Sequence, residues 1–338
     1  MQKKIKYIIM NTYRFRELKE KYMNKKVVVL GGGTGLSYLL RGLKQFPIDI
    51  TAIVSVCDDG KSTGRLREEF NQPAAGDIRR VLVSLSETEP LVEQLLNYRF
   101  HTTSDLNGHT VGNLILTAMT NITGNMSAGI KSLSKVFNLK GKVVPFSEDY
   151  VTLMGEMMDG TIVEGEHNIT LAKGKIKKVY YKEKPKINKD ALKAVKYADA
   201  IIFSMGSLYT SIIPNLLIKE LVNEIDKSKA KIMYVSNMMT QPGETDNFKV
   251  SDHIEKLNQY LGKRKLDVVV ANNKEIDKEM AKIYETTEQK DSVLLDKENI
   301  DIEVIEDNYI FITKNNLLRH DNIKLGFDIY YYLNRSDI

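Results

Sequence analysis

The sequence predicts a doubly wound α/β fold, with a mainly parallel Rossmann-like sheet in a three-layer αβα arrangement. Short apolar runs rich in β-branched residues alternate with segments whose apolar residues recur at helical spacing, which is the pattern of βαβ units. Each apolar run stops abruptly at glycine or polar residues. Ligands of such sheets bind beyond the carboxyl ends of the strands, so these stopping points form the candidate site.

The first βα unit carries the strongest local signal. Residues 26–30 form an apolar run that ends in Gly31–Gly35, here called the glycine turn, and leucines at helical spacing follow. The second run, 50–57, is almost continuously apolar, as expected for a parallel strand covered on both faces. It stops at Asp58-Asp59.

Three further strands are predicted at 200–205, 231–235 and 267–271, with helical patterns between them. Residues 142–182 contain several short strand patterns separated by turns, which predicts a small antiparallel excursion beside the main sheet. Residues 302–313 predict a closing hairpin around Asp307-Asn308.

These elements predict a single Rossmann-like domain over residues 23–330, with the excursion at about 142–182 inside it. The first 22 residues are polar and basic, with an apolar stretch too short for a secretory signal. We expect residues 1–22 to be a tail or an upstream extension of the gene, with Met23 as the alternative start.

Composition argues against several classes of protein. The net charge of +5 arises from 49 Lys and Arg against 44 Asp and Glu spread along the chain, and no nucleic-acid-binding motif accompanies it. No apolar run approaches the roughly 20 residues of a membrane helix. The single cysteine, Cys57, permits neither an intrachain disulfide nor a cysteine-clustered metal site. We therefore expect a cytoplasmic protein with no nucleic-acid partner and no membrane span.

The glycine turn is a candidate phosphate site. Gly31, Gly32, Gly33 and Gly35 let the backbone approach an anion closely, and the helix that follows offers unpaired amides and a positive dipole end. Thr34 completes the turn. The third glycine of the dinucleotide fingerprint is missing, which disfavours a nicotinamide-dependent oxidoreductase. A tight turn without a ligand is the alternative interpretation.

Asp58 and Asp59 end the second strand. A carboxylate there can accept a hydrogen bond from a ribose hydroxyl, and two adjacent acids can hold Mg²⁺ through water. Helix capping is the alternative. In the following loop, Ser62, Gly64 and Arg65 lack the spacing of a Walker motif but suit a phosphate site, because arginine binds phosphate in two-pronged fashion.

Further polar residues lie at predicted strand ends or just before predicted helices, where they can bind a ligand or cap a helix. The remaining candidates are Gly76, Asp77, Asn113, Gly206, Ser207, Tyr209, Asn237, Thr240 and His253. The turn at Gly206-Ser207 offers a second phosphate position, and Asn237 with Thr240 suits a base or sugar. A lone histidine such as His253 is more often structural than functional.

Taken together, these motifs resemble the gluconeogenesis factor (YvcK-like) family, which is related to the CofD-like 2-phospho-L-lactate transferases. The resemblance extends over nearly the whole chain from Met23 onward. It rests on Val27–Gly35, Asp58–Arg67, Gly76–Arg79, Gly112–Leu114, Gly206–Ser211 and Gln241–Thr245.

The resemblance implies a Rossmann-like fold with the ligand lying across the strand ends. It implies phosphate contacts in the glycine turn and an acidic strand end at Asp58 and Asp59. The remaining contacts that it implies are Gly76, Asp77, Asn113, Gly206, Ser207, Tyr209, Asn237 and Thr240. Two departures are visible. Lys61 stands where the family more often has glycine, and Arg80 stands where asparagine is common; both add positive charge near the expected phosphates.

The resemblance leaves two functions open. The first is a cytoplasmic UDP-sugar-binding regulatory protein, needed for cell shape and cell-wall synthesis during growth on gluconeogenic carbon sources, with no established reaction. The second is a Mg²⁺-dependent transferase that acts on a nucleoside diphosphate-activated donor. We also expect a homo-oligomer and a protein partner in cell-wall regulation, whose identity the sequence does not give.

Overall fold

The computed structural model describes residues 24–87, 90–172 and 174–335; the predicted tail at 1–22 lies outside them. The strands are β1 (Lys25–Gly31), β2 (Ile48–Val54), β3 (Lys142–Pro145), β4 (Leu153–Met157), β5 (Ile162–Glu164), β6 (Ile176–Tyr181), β7 (Ala200–Phe203), β8 (Lys231–Val235), β9 (Val268–Asn272), β10 (Glu303–Asp307), β11 (Ile310–Ile312) and β12 (Leu318–His320).

The helices lie mainly between the strands of the central sheet, as the alternating pattern predicts. They are α1 (Gly33–Leu43), α2 (Lys61–Phe70), α3 (Gly76–Leu85), α4 (Pro90–Asn97), α5 (Val111–Thr123), α6 (Met126–Val136), α7 (Glu166–Leu171), α8 (Lys189–Lys196), α9 (Ile213–Leu216), α10 (Lys219–Lys227), α11 (Val250–Tyr260), α12 (Lys278–Glu288) and α13 (Asn322–Asn334). A π-helical turn at Leu208–Ile212 precedes α9, and a short 3₁₀ turn lies at Lys297–Asn299.

Seven parallel strands form the central sheet, in the order β10-β9-β8-β7-β1-β2-β3. The chain builds outward from β1 to β3 and then returns to β7 on the other side of β1. This reversal is the topological switch point of a doubly wound sheet, and it brings the carboxyl ends of β1 and β7 side by side. The predicted fold class is confirmed.

The core follows from the apolar runs that predict the strands. Val27, Val29 and Leu30 of β1 are fully buried, and α1 covers them with four buried leucines. Helix α13 crosses α1 so closely that a methyl group on Gly42 would lie 1.8 Å from the Asn322 carbonyl oxygen. The C-terminal elements are therefore packed directly against the helix that follows the glycine turn.

The antiparallel excursion exists but begins later than expected. Strands β4, β5 and β6 form a small antiparallel sheet, whereas Lys142–Pro145 pairs in parallel with β2 and forms the edge of the main sheet. The expected hairpin at 302–313 is wrong, because β10 pairs in parallel with β9 and β11 pairs with β12. Strand patterns identify extended segments but not the neighbour that completes their hydrogen bonds.

Candidate functional site

Two turns face each other at the switch point. The glycine turn follows β1, and the segment Gly206–Thr210, here called the serine turn, follows β7. A methyl group on Gly206 would lie 3.8 Å from the Gly32 carbonyl oxygen, so the two turns are direct neighbours. The structure thus brings together two groups of predicted residues that are some 170 positions apart in the sequence.

The glycine turn leaves the start of α1 open. Gly32, at the N-cap, has no side chain to bond the first amides, and Thr34 is exposed. Gly33 has φ +64°, a left-handed conformation that favours glycine. A methyl group on Gly33 would have no neighbour outside its own turn closer than Arg80 Nη1, at 4.0 Å. The helix N-terminus therefore has room and a guanidinium beside it, features that suit an anion, and the Asp77 carboxylate lies next to it and bonds the Gly33 amide.

Gly35 has a different role in the same turn. A methyl group there would lie 2.0 Å from the Met205 carbonyl oxygen, so only glycine lets α1 pack against the end of β7. Gly31 is similarly close to the Ser204 side chain. Two of the predicted glycines are thus fixed by packing, and Gly33 faces open space.

Carboxylates crowd the other side of the glycine turn. Asp77 Oδ1 accepts a hydrogen bond from Arg80 Nη1 at 3.0 Å, and burial together with Asp58 raises the pKa of Asp77 to about 6. Arg80 and the Gly33 amide oppose that rise. A methyl group on Gly76 would lie 2.4 Å from Asp58 Oδ2, so this glycine admits the Asp58 carboxylate.

The excursion contributes a third acid, Glu166. Burial, followed by repulsion from Asp58, raises the pKa of Glu166 to about 8, while a hydrogen bond from the Thr210 side chain opposes the rise. Asp59 holds this region in place, because its carboxylate accepts hydrogen bonds from the amides of Glu166 and His167, at 3.2 and 2.8 Å. Of the two predicted strand-end acids, Asp59 therefore caps α7, and Asp58 faces the site.

A buried hydrogen-bond network lies behind the acids. Ser62 Oγ is 3.0 Å from His109 Nδ1 and accepts from Asn113 Nδ2 at 3.1 Å. Asn113 Oδ1 in turn accepts from Arg79 Nε at 3.1 Å. Ser62 and Asn113, both predicted as ligand contacts, thus bond each other and fix helices α2, α3 and α5 against one another.

Arg65 and Gly64 serve local packing. The Arg65 guanidinium donates to the carbonyl oxygens of Asn107 and Asp105, at 2.8 and 2.7 Å, and so holds a surface loop. A methyl group on Gly64 would lie 2.1 Å from the Asp59 carbonyl oxygen. The guanidinium beside the glycine turn is Arg80, which was noticed in the sequence only as a departure from the family.

The serine turn already holds an anion of the protein itself. Ser207 Oγ lies 2.9 and 2.7 Å from the two carboxylate oxygens of Glu244, and the Tyr209 amide donates to Glu244 Oε2 at 3.2 Å. The second phosphate position expected at Gly206-Ser207 is therefore filled by a side chain. Tyr209 is buried, and burial raises the pKa of its hydroxyl to about 12.

The structure places the last three candidates in supporting positions. Asn237 holds the serine turn, since its side chain accepts from the Gly206 amide and donates to the Gly206 carbonyl, at 2.8 and 2.9 Å. Thr240 Oγ1 accepts from the Asp291 amide at 2.8 Å and is buried. His253 is fully buried, and its ring packs against Tyr234 and Phe248 in the core.

A cavity of about 560 Å³ runs beside α1, next to the glycine turn in sequence. Tyr38, Arg41, Phe311 and His320 are among its lining residues. The Arg319 guanidinium stands 5.8 Å from the centre of the Tyr38 ring. Aromatic and cationic side chains therefore meet where the C-terminal hairpin approaches α1, an arrangement that sequence spacing does not reveal.

Glu166 and Glu244 lie at the site and Tyr38 lines the cavity beside α1, but none of the three is among the residues predicted for the site. Glu244 lies within the Gln241–Thr245 motif, so its polar surroundings were a usable signal. Glu166 follows a glycine in the excursion, and nothing local indicates that it reaches the main sheet. Tyr38 reads as one position on an amphipathic helix.

The acids do not form an evident metal cage. Within residues 24–87, 90–172 and 174–335, no group of three or more His, Cys, Asp or Glu side chains is arranged to hold a metal ion. Mg²⁺ often needs only one or two carboxylates and completes its shell with water and phosphate. The Mg²⁺ site at Asp58 and Asp59 stays a prediction, with the Asp59 oxygens already accepting backbone hydrogen bonds.

None of the helices in the described part of the chain has the length and apolar character needed to cross a bilayer.

Comparison with known proteins gives consistent results. The family described as 2-phospho-L-lactate transferase CofD matches residues 27–310. A gluconeogenesis factor from Bacillus subtilis is 46% identical over 304 residues, which cover 89% of this chain and 96% of that protein. A gluconeogenesis factor from Halalkalibacterium halodurans is 45% identical over 306 residues, covering 89% of this chain and 94% of that protein.

A solved structure supports the fold directly. The crystal structure of protein BH3568 from Bacillus halodurans superimposes with a TM-score of 0.87 at 44% sequence identity. The match covers 90% of this chain and 99% of that chain.

Proposed function

Since this chain belongs to the CofD family and matches gluconeogenesis factors over nearly their full length, we propose that it is a regulatory protein that binds a UDP-sugar. The observation that carries the proposal is the open N-terminus of α1. Gly33 faces free space there, Gly32 has no side chain of its own to cap the helix, and Arg80 lies beside it. The Asp77 carboxylate bonds the Gly33 amide. This is the environment that a ligand diphosphate requires.

The cavity beside α1 suits the rest of such a ligand. Tyr38 lies five residues after Gly33, which corresponds to about 7–8 Å along the helix axis. A nucleoside or sugar attached to a phosphate at the glycine turn can span that distance. Tyr38 and Phe311 offer aromatic faces for a base, and the Arg41 guanidinium beside them is paired with Glu93.

We propose a cytoplasmic role in cell shape and cell-wall synthesis during growth on gluconeogenic carbon sources. The family resemblance supports this role, and the names of the relatives from Bacillus subtilis and Halalkalibacterium halodurans agree with the link to gluconeogenesis. The protein would act by binding a wall precursor and changing its contacts with a protein partner or with another copy of itself.

The crowded acids favour a second candidate, a Mg²⁺-dependent transferase of the phospholactate type. Asp58 and Asp77 lie on the same side of the glycine turn, and Glu166 approaches them from the excursion. Oxygen ligands of this kind suit Mg²⁺, so Asp58 would hold the ion together with ligand phosphates. The ion would neutralise charge on a diphosphate leaving group.

Ligand binding tests the first proposal. Isothermal titration of the full chain with UDP-glucose and UDP-N-acetylglucosamine, with and without Mg²⁺, should show saturable binding that does not require the metal. GDP and NAD serve as comparison ligands. Gly33→Leu should abolish that binding while the protein still unfolds cooperatively, because the side chain occupies the phosphate position. Unchanged affinity in this variant would remove the site assignment.

Asp58→Asn separates the two candidates. A UDP-sugar-binding regulator should retain ligand affinity within a few-fold, because the amide keeps the size of the side chain. If binding in the wild type requires Mg²⁺ and is specific for GDP, and Asp58→Asn abolishes it, the transferase is the better assignment.

A further inference from the structure

Glu244 lies at the start of the helical segment formed by Leu208–Ile212 and α9. Glu244 as a residue is only 8% exposed, and its carboxylate accepts hydrogen bonds from the Ser207 hydroxyl and the Tyr209 amide. The Leu208 amide also bonds it, and these three donors oppose the rise in the pKa of Glu244 that burial causes. A buried carboxylate thus stands where a helix N-terminus would otherwise attract an external anion.

The Ser207 hydroxyl bonds Thr210 as well as Glu244. Ser207 Oγ accepts from the Thr210 amide at 2.9 Å and lies 2.7 Å from the Thr210 hydroxyl. The Ser207 hydroxyl itself donates to the Glu244 carboxylate, whose oxygens lie 2.9 and 2.7 Å away. Glu244 is therefore surrounded by donors alone, which is the environment of an ionised carboxylate.

The loop that carries Glu244 is held on its other side by the excursion. The Ile176 amide donates to the Gly243 carbonyl at 2.9 Å. Gly243 has φ +77°, and a methyl group on it would lie 2.5 Å from the Gly174 carbonyl oxygen. The Gly243 amide also donates to Asp246 Oδ2 at 3.0 Å. The carboxylate of Glu244 is thus delivered to the serine turn by a loop with little freedom to move.

We propose that Glu244 is a positioning and selectivity residue, a built-in anion that takes the second phosphate position, fixes the shape of the serine turn and keeps an external phosphate out of it. The proposal rests on the proposed function, since the ligand diphosphate is then confined to the glycine turn. Asn237 fixes the Gly206 peptide opposite Gly32, and Glu244 fixes Ser207 next to it.

Removal and replacement of the anion tests this role. Glu244→Ala leaves a small vacant position lined by three donors, which formate can fill. Glu148→Ala is the matched control, because Glu148 bonds the Met126 and Ser127 amides at the start of α6 from an exposed position. Glu244→Gln is the second control, since its amide keeps the volume and leaves no room for formate.

The first measurement is the thermal midpoint of unfolding in sodium formate against sodium chloride of equal ionic strength. Formate should raise the midpoint of Glu244→Ala by about 3 °C or more beyond its effect on the wild type, Glu148→Ala and Glu244→Gln. An equal effect on all four proteins would overturn the proposal. This readout involves no nucleotide, so it decides the role of Glu244 even if the wild type fails to bind a UDP-sugar.

The second measurement is the affinity for UDP-N-acetylglucosamine. Glu244→Ala should lose about tenfold or more, and formate should restore most of the loss, whereas Glu148→Ala should bind like the wild type. Wild-type affinity in Glu244→Ala without formate would refute the positioning role. A wild type that does not bind the nucleotide would instead refute the proposed function.

Discussion

The glycine turn and the serine turn occupy equivalent places after neighbouring strands, yet they differ in how the carboxylates near them are placed and bonded. The serine turn surrounds the Glu244 carboxylate with donors from its own backbone and from Ser207. At the glycine turn, Gly32 has no capping side chain and Asp77 bonds the Gly33 amide, while burial and Asp58 raise the pKa of both Asp77 and Glu166. The buried Glu244 carboxylate fills one helix start, whereas the other has open space beside Gly33, where we propose that the ligand binds.

The largest expected effect is on stability. It distinguishes Gly35, which is needed for packing, from Gly33, which faces open space in the same turn. Gly35→Ala should lower the free energy of unfolding by about 3 kcal/mol or more, because the new methyl group would lie 2.0 Å from the Met205 carbonyl oxygen. Gly33→Ala, the matched control, should cost only about 1 kcal/mol, since the methyl group faces open space and only its φ of +64° is unfavourable. Urea denaturation measures both, and equal losses would contradict the division.

The next effect concerns the crowded acids. The pKa of Glu166 is about 8 in the folded protein against an ordinary 4.5, so the folded state binds more protons than the unfolded state between those values. Stability from this group is present at low pH and is lost as pH rises through about 8. Glu166→Gln should remove that loss and be more stable than the wild type by about 1–3 kcal/mol above pH 8.

Denaturation curves at pH 4.5 and 8.5 provide the check. Glu164→Gln is the control, because Glu164 is an exposed neighbour that pairs with Lys182 at 2.8 Å. A pH dependence unchanged in Glu166→Gln would mean that the acids beside the glycine turn do not interact as described.

A smaller effect is expected on ligand affinity. Asp77 has a pKa of about 6, so it becomes negatively charged beside the glycine turn as pH rises through that value. The diphosphate of a UDP-sugar does not titrate in this range, so wild-type affinity should fall several-fold between pH 5 and pH 7.5. Asp77→Asn should bind with nearly constant affinity, tighter than the wild type at pH 7.5 by about five- to tenfold, a difference near 1 kcal/mol.

Titration calorimetry without Mg²⁺ measures this dependence directly. If wild-type affinity rises with pH, or if Asp77→Asn binds more weakly at pH 7.5, Asp77 helps to hold the ligand and does not repel it. The glycine turn would then resemble the serine turn more than we infer.

The part of the site that sequence could predict is the part made by consecutive residues. The glycine turn and the acid at Asp58 follow directly from strand ends, and the alternating pattern identifies the fold class. Glu166 and Glu244 reach the site only through the tertiary fold. Glu166 bonds Asp59, which lies 107 positions earlier in the sequence, and Glu244 bonds Ser207, which lies 37 positions earlier. No local pattern encodes such pairing, because strand and turn signals do not name their partners.

At His253 and Ser207, the polar neighbours in the sequence do not show what surrounds the side chain in the fold. His253 has the polar neighbours of a functional residue, but its ring is in the core. The hydrogen-bond donors expected at Ser207 exist. They bond the carboxylate of Glu244, which lies 37 positions away in the sequence. Whether a donor group binds a ligand or a side chain depends on what the fold places opposite it.

The smallest expected effect concerns backbone strain at Lys61, which follows the acids Asp58 and Asp59. Lys61 has φ +44°, a left-handed conformation that a side chain disfavours. Lys61→Gly should therefore be more stable than Lys61→Ala by about 1 kcal/mol, because both lose the same charge and only alanine retains the Cβ atom. Urea denaturation of the pair measures the difference. Greater stability of the alanine variant would show that this loop relaxes the strain, and that the acids near the glycine turn are held less rigidly than Glu244 is held at the serine turn.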